Sequence, residues 1–306
     1  MTAAHVDRAT EPAGERAPLS LIVNPFAGGG RAGRRLDDVQ AALGRLGLAH
    51  HLERTSSLDH ARELARRAAA VGETAVAFGG DGLIGAVADA LRHGPGVLGI
   101  LPGGRGNDLA RALGIPADPV RACAILREGT PVPLDLGAVG DRTFVGIASC
   151  GFDSVANRIA NDARLVRGNL VYAYGALRAL AGWRPATFTV VVDGTTRTLT
   201  GYTVAVANSS YYGGGMRMAP DASLRDGQLD VVIVGHTPKA RFLALLPTVF
   251  SGSHVRRAGI EVLRGREIEI AASRPFDLYA DGDPIAPLPA TIRVLPSAVR
   301  ALVPAS

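Results

Sequence analysis

Gly79-Gly80-Asp81-Gly82 places three glycines around one aspartate, directly after the apolar run Thr74 to Phe78. Where a buried strand turns through glycines into a helix, free amide groups and the positive helix end favour a bound phosphate. The missing side chains let that phosphate approach the backbone. An acid beside an expected polyanion makes sense if a divalent cation lies between them. The bland alternative is a tight turn that uses glycine for positive φ and aspartate as a cap. A second loop, Pro102-Gly103-Gly104-Arg105-Gly106-Asn107-Asp108, repeats the arrangement one strand later, with Arg111 one turn on. Asn24-Pro25 followed by Gly28-Gly29-Gly30 is a third. Three such loops are hard to attribute to turn chemistry alone.

The second half of the chain carries acids instead of glycine clusters. Asp221, Asp226 and Asp230 stand in the approach to a strand, around an Asp226-Gly227 turn. Carboxylate and turn carbonyls together could make an oxygen-lined cation site, and a plain hairpin turn is the competing reading. Asp281-Gly282-Asp283 follows the run Phe276 to Ala280 and offers two carboxylates on a loop. One of them can serve as the general base that takes a hydroxyl proton while a γ-phosphoryl group transfers. Another strand turn is the simpler account of it.

These residues need elements to hold them. Leu19 to Val23, Thr74 to Phe78 and Gly96 to Leu101 read as buried strands, each running into one of the glycine loops. Helical spacing follows from about Arg34 to Leu46, from Ser57 (a plausible N-cap) to Ala70, through Leu91 and from Asn107. That rhythm predicts a parallel sheet with its ligand site at the carboxyl ends of the strands. After Pro133 the pattern becomes β-rich: Thr187 to Val192, an Asp193-Gly194 turn and Arg197 to Ala207 predict a hairpin. Further strands are predicted over Leu229 to Val234, Ile260 to Leu263, Arg266 to Ala271, Phe276 to Ala280 and Thr291 to Leu295. Helices are predicted near Ser154 to Asp162 and Lys239 to Phe250. The expected architecture is an N-terminal Rossmann-like parallel α/β domain with a C-terminal antiparallel β-sandwich domain, the active cleft lying between them. The boundaries read as a disordered tail over 1–17, a nucleotide-binding domain over 18–134 rejoined by 297–306, and an acceptor domain over 135–296.

Composition excludes several classes. Lys239 is the only lysine, so no glycine loop is followed by a P-loop lysine. No Gly-x-Gly-x-x-Gly follows the first strand, which disfavours a dinucleotide-binding Rossmann domain. Two cysteines make no disulfide framework or zinc site, the seven histidines show no metal spacing, and no serine sits in a hydrolase elbow. No apolar run approaches the roughly 18 residues of a membrane span, so membrane contact is expected to be peripheral and the location cytoplasmic. The net charge of +5 favours an anionic surface.

In order, the motifs Asn24-Pro25, Gly79-Gly80-Asp81-Gly82, Pro102 to Arg111, Gly151-Phe152-Asp153, Asp226-Gly227-Gln228-Leu229-Asp230 and Asp281-Gly282-Asp283 resemble the soluble bacterial diacylglycerol kinase family. These are relatives of sphingosine kinases and, more distantly, of NAD kinases. The stretch Asn107-Asp108-Leu109-Ala110-Arg111 is the most specific part of the likeness. The resemblance implies ATP held by Asn24, Thr55, Gly79 and the loop Gly80, Asp81, Gly82, Leu83, Ile84, Gly85, Ala86, with Arg105 and Asn107 from the second loop. It implies a structural magnesium held by Asp226 with main-chain oxygens of Ser223 and Gln228, and Asp81 and Asp108 turned toward the nucleotide's own magnesium. The catalytic base would come from Asp283 or Asp281. The implied acceptor is a lipid at a membrane surface; no nucleic-acid partner is expected, and a homodimer is left open.

The chain departs from the family pattern at Leu83, Gly85 and Ala86, where threonine and then Asn-Glu usually stand, at Arg105 for a threonine, and at Asp283 for a glutamate. Leucine directly after the loop also occurs in the sphingosine kinase branch. Two other readings compete: a kinase of NAD or another soluble metabolite, and a nucleotide-binding regulatory protein that has lost turnover.

Overall fold

A computed structural model describes residues 16–162 and 170–305, so most of the tail expected over 1–17 lies outside the described residues. The first half runs β1 (Leu19–Val23), α1 (Ala27–Arg34), α2 (Leu36–Arg45), β2 (His50–Arg54), α3 (Leu58–Ala70), β3 (Thr74–Gly79), α4 (Asp81–Leu91), β4 (Val97–Pro102), α5 (Asp108–Ala112) and α6 (Pro119–Glu128). The four strands pair in parallel in the order β2-β1-β3-β4. β1 and β3 are buried along their whole length, as strands covered on both faces by helices must be. Ser57 caps α3 by accepting from His60 N at 3.1 Å. The helix predicted from about Arg34 to Leu46 is α2, and α1 precedes it.

The second half runs β5 (Thr130–Val139), β6 (Arg142–Phe144), β7 (Ile147–Gly151), α7 (Phe152–Asp162), α8 (Leu170–Gly182), β8 (Ala186–Val192), β9 (Thr195–Ala207), β10 (Leu229–Gly235), α9 (Lys239–Leu245), α10 (Thr248–Ser251), β11 (Ile260–Gly265), β12 (Glu267–Ala272), β13 (Asp277–Ala280), β14 (Asp283–Pro287) and β15 (Ala290–Val303). Every pairing among the described strands of this half is antiparallel. β8 alternates buried and half-buried residues, the mark of a strand with one face on a core. Asp193 and Gly194 both take positive φ in the predicted β8-β9 turn. The helix predicted over Lys239 to Phe250 splits into α9 and α10, because Pro247 has no N–H to continue it. α1, α6, α8, β2, β5, β6, β7 and β14 were not foreseen.

β15 is the seam of the molecule. It pairs with β12 and β5 in antiparallel fashion and then, at Arg300 and Ala301, in parallel with Val97 and Leu98 of β4. One core fills the α/β half around Phe78, Ile100 and Leu126. Another fills the β half around Phe152, Phe188 and Tyr202. Among the described residues no helix is long and apolar enough to cross a membrane.

Candidate active site

The three glycine loops meet backbone against backbone at the carboxyl ends of β1, β3 and β4. Gly103 N donates to Gly79 O at 2.7 Å, and Asn24 N donates to Phe78 O at 3.2 Å. A Cβ on Gly104 would stand 2.5 Å from Gly80 Cα, and one on Gly28 would stand 2.5 Å from Gly103 O. Glycine is therefore required at both positions by close approach, not merely by turn geometry. Asn107 sits in the left-handed region at φ 53° and locks the second loop, its Oδ1 accepting from Gly104 N at 2.9 Å. Arg31 donates to Gly104 O at 3.3 Å, and Arg105 extends, exposed, toward Gly29 of the Gly28-Gly29-Gly30 loop.

Asp81 joins two of the loops. Its Oδ2 accepts from Asn107 N at 2.9 Å and its Oδ1 from Asp108 N at 2.7 Å, so it caps α5 from another element. Asp108 Oδ2 in turn accepts from Gly214 N at 2.8 Å, which ties the α/β half to the loop between β9 and β10. Asp108 Oδ1 is buried and has no hydrogen-bond partner among the described residues. Burial raises the Asp108 carboxyl, and the Asp81 charge adds to the effect, while the amides of Gly214 and Gly215 and the Arg111 guanidinium oppose it. An unpartnered, buried carboxylate oxygen beside a phosphate cradle fits a hard cation, which would neutralise Asp108 and the phosphates together. Among the described residues no three acidic, histidine or cysteine side chains stand close enough to clasp one ion by themselves.

From the other half, the β13-β14 hairpin turns at Asp281-Gly282, both with positive φ, and delivers Asp281 to the same junction. Asp281 Oδ2 accepts from Val145 N at 2.8 Å, and Oδ1 accepts from Gly146 N at 3.0 Å and Ile147 N at 3.1 Å. Burial pushes its carboxyl up to about 6 against the pull of those three amides, and the charge of Asp81 pushes the same way. Asp281 is thus a post on which the hairpin stands, two residues before the exposed Asp283 that opens β14. Between α7 and this hairpin lies a pocket of about 240 Å³ whose lining includes Ser154, Arg158, Arg274, Phe276, Tyr279 and Leu288. Beside it, Asp153 is pushed up to about 6 by burial, against the Ser149 hydroxyl, and its Oδ2 has no hydrogen-bond partner among the described residues.

Other sequence-predicted residues sit differently. Leu83, Ile84 and Ala86 bury their side chains in the core, so this turn of α4 can offer a phosphate only main chain, with Gly82 exposed and Gly85 half-buried. Asn24 Oδ1 accepts from Phe26 N at 3.1 Å, and Thr55 Oγ1 donates to Ser57 O at 2.6 Å. Asp226 lies across the β half, and both its oxygens are engaged: Oδ1 accepts from Gln228 N at 3.1 Å, and Oδ2 accepts from the Arg264 guanidinium. Arg264 Nε also lies 3.3 Å from Asp230 Oδ1. The carboxylate of the expected Asp226, Ser223 and Gln228 set is thus paired with Arg264 here. Ser223 Oγ accepts from Arg225 N at 3.3 Å.

One residue escaped the sequence reading. Asp135, buried in β5, accepts from Gly227 N and Ser297 N, each at 2.7 Å, while its own N donates to Leu224 O. It fixes the acidic turn to the seam strand. The available signal was an acid flanked by Leu134 and Leu136 in an otherwise apolar strand.

Glycine loops at the carboxyl ends of a parallel sheet, met by an acidic hairpin, are built to receive a phosphate-bearing ligand. Comparison with known proteins places the chain further. Residues 18–139 match the diacylglycerol kinase catalytic domain, and residues 146–303 match the YegS C-terminal NAD kinase beta sandwich-like domain. The chain is 34% identical over 300 residues to a diacylglycerol kinase of Mycobacterium tuberculosis, covering 94% of this chain and 95% of that one. It is 34% identical over 253 residues to a probable YegS-like lipid kinase of Pseudomonas aeruginosa, covering 80% and 82%. A putative diacylglycerol kinase from Bacillus anthracis shares the fold, with a TM-score of 0.79 at 22% identity over 94% of this chain and 97% of that one. The chain belongs to the diacylglycerol kinase-like family of lipid kinases.

Proposed function

We propose that the chain transfers the γ-phosphoryl group of ATP to the free hydroxyl of diacylglycerol or a closely related lipid, at a membrane surface. The observation that carries this reading is the junction of the glycine loops, where Asp81 is tied to the amides of Asn107 and Asp108 and the acidic hairpin stands on Asp281 through the amides of Val145, Gly146 and Ile147. The amides of the first turn of α4 and the second glycine loop hold the phosphates, and Arg31 and Arg105 add positive charge at their edge. Asp108 would hold a magnesium ion, whose charge would offset the negative charge that develops during transfer. Asp283 removes the acceptor's proton, since a base needs an oxygen free to meet the hydroxyl at about 2.6–3.2 Å. Both oxygens of Asp281 are occupied by main-chain amides, and it acts as the positioning residue for the hairpin. The pocket lined by Phe276, Tyr279 and Leu288 receives the apolar part of the acceptor.

The test is incubation with labelled ATP and a panel of diacylglycerol, a sphingoid base and NAD. Labelled phosphatidic acid is expected. Product from NAD alone would sink the lipid reading, and ATP binding without any product would favour a regulatory protein.

A further inference from the structure

Asp283 stands on an edge strand: among the described strands β14 ends the sheet and pairs with β13 alone. The pairing also slips. Asp283 faces Ala280 and Pro284 faces Tyr279, but Ala286 faces Leu278, so Ile285 is an extra residue without a partner across the ladder. Such a bulge bends its strand and re-aims the side chains beside it. Ile285 packs half-buried against the core of the β half. The bulge is also gripped from outside the hairpin. Arg142 opens β6, and its Nη1 donates to Pro284 O at 2.9 Å and to Ile285 O at 3.1 Å. One charged nitrogen thus holds the carbonyls of the two residues that follow Asp283, and a charged donor makes the stronger kind of hydrogen bond.

The neighbours of Arg142 reach the other half of the molecule. Thr143 Oγ1 donates to Asp89 Oδ1 at 2.8 Å, and Arg92 Nη1 donates to Asp141 O at 3.0 Å. Asp89 belongs to α4, whose first turn follows Gly79 and Gly80. A little further on, the same segment supplies the Val145, Gly146 and Ile147 amides that hold Asp281. Residues 141–147 therefore form one strut between the helix of the phosphate cradle and the hairpin that carries Asp283. We infer that Arg142 is a positioning residue for Asp283: by clasping the bulge, it sets where the exposed carboxylate stands relative to the cradle. Asp281 fixes the turn before Asp283 and Arg142 fixes the strand after it, so the base is held on both sides. Without the second hold, the strand beyond Asp283 depends on a ladder interrupted at Ile285. An arginine that merely covered an exposed sheet edge would protect the same carbonyls and leave the rate alone. The catalytic part of the inference rests on Asp283 being the base, as proposed above; the grip on the hairpin does not.

The experiment is a double-mutant cycle of Arg142→Gln and Asp283→Asn in the full chain. It is read with labelled ATP and dispersed diacylglycerol, and separately by amide hydrogen exchange of β14. Glutamine keeps a polar end but is too short to span to both carbonyls. Arg142 is exposed, so Arg142→Gln should melt as the wild type does. Its kcat should fall about tenfold, since a misplacement of about 1 Å can cost up to about 10²-fold, while the KM for ATP holds. In the Asp283→Asn background the same substitution should cost nothing further, because its effect acts through that carboxylate. Exchange across β14 should quicken in Arg142→Gln. A full rate in Arg142→Gln beside a slow Asp283→Asn overturns the inference, and so do losses that multiply in the double variant. A full rate in Asp283→Asn removes the base assignment instead, and the positioning role falls with it. If the wild type forms no product, the kinase reading fails and takes the catalytic role with it, while unchanged exchange in Arg142→Gln would overturn the grip itself.

Discussion

Replacing Asp283 and Asp281 separately by asparagine should produce two different failures. Asp283→Asn changes an exposed side chain at the first residue of β14, so its melting temperature should match the wild type. It removes the proposed base, and loss of a positioned base costs about 10²–10⁴ in kcat. The KM for ATP should hold, because the cradle is built from other elements. Asp281→Asn is a structural perturbation in the same hairpin. The asparagine oxygen can keep the bonds from Gly146 and Ile147, but its NH₂ then faces the Val145 N–H, at a cost of about 1–3 kcal/mol. Against this, the wild-type carboxyl is pushed from 3.8 to about 6 by burial and by Asp81. Removing that buried charge returns up to about 3 kcal/mol at neutral pH, so the two effects nearly cancel and the fold should survive. The rate of Asp281→Asn should fall by about tenfold through misplacement of Asp283, and the acid limb of the kcat profile near pH 6 should disappear. Asp283→Asn should retain that limb on its residual rate. The assay is labelled ATP with dispersed diacylglycerol from pH 5 to pH 9, with thermal melts of each variant. If Asp283→Asn stays within about threefold of wild type while Asp281→Asn collapses, the roles above are reversed. If both keep their rates, the hairpin has no part in the chemistry.

Three further outcomes follow from the geometry. Arg264→Met leaves Asp226 and the buried Asp230 without their cation, so melting temperature should fall by several degrees and become responsive to magnesium, whereas the wild type should melt alike in magnesium and in chelator. A wild type stabilised by magnesium and desensitised by Asp226→Asn would show that an ion belongs there after all. Asp153 has a folded pKa near 6, above its unfolded value, so its stabilising contribution is complete below about pH 4 and is lost as pH rises through 6. Asp153→Asn should accordingly melt higher than wild type at pH 8, with the difference shrinking toward pH 5; a constant difference would contradict the assignment. Gly104→Ala forces a Cβ to within 2.5 Å of Gly80 Cα, and should raise the KM for ATP by about tenfold or more or prevent folding, as circular dichroism and nucleotide titration would tell apart.

β1, β3 and β4 and the glycine loops of the α/β half were readable because their cues are local, whereas the polar, half-exposed β2 was not. A buried parallel strand shows as an unbroken apolar run, and the glycines that end β1, β3 and β4 mark themselves by type. α8 hid because it is apolar on one face and only half polar on the other, so its helical period is weak and it stands among strands. The Asp226 turn could be seen, yet its partner could not: Arg264 lies opposite Asp230 only through the β10-β11 register, a long-range fact. Asp135 hid for the same reason, since its three bonds reach residues 224, 227 and 297.

The departures at Leu83 and Ala86 also look different once placed. In sequence they interrupt the pattern where side chains are expected to touch the nucleotide. In the fold, Leu83 lies against the Gly79 backbone: a Cβ added to Gly79 would meet Leu83 Cδ2 at 2.6 Å. Its side chain therefore braces the strand end from beneath. Leu83 N and Ile84 N bond back to Gly80 O at 3.0 and 3.1 Å, which is how an ordinary first helical turn begins. A phosphate cradle made of main chain does not depend on what stands at position 83, provided the residue is apolar and fits the core. The substitution that does stand outside the core is Arg105, exposed and directed toward Gly29. If it contacts a phosphate, Arg105→Thr should weaken ATP more than AMP, because only the longer polyphosphate carries the charge that a guanidinium at that edge can meet. Equal losses for both nucleotides would assign Arg105 to general attraction, and no loss would leave the cradle to the amides alone.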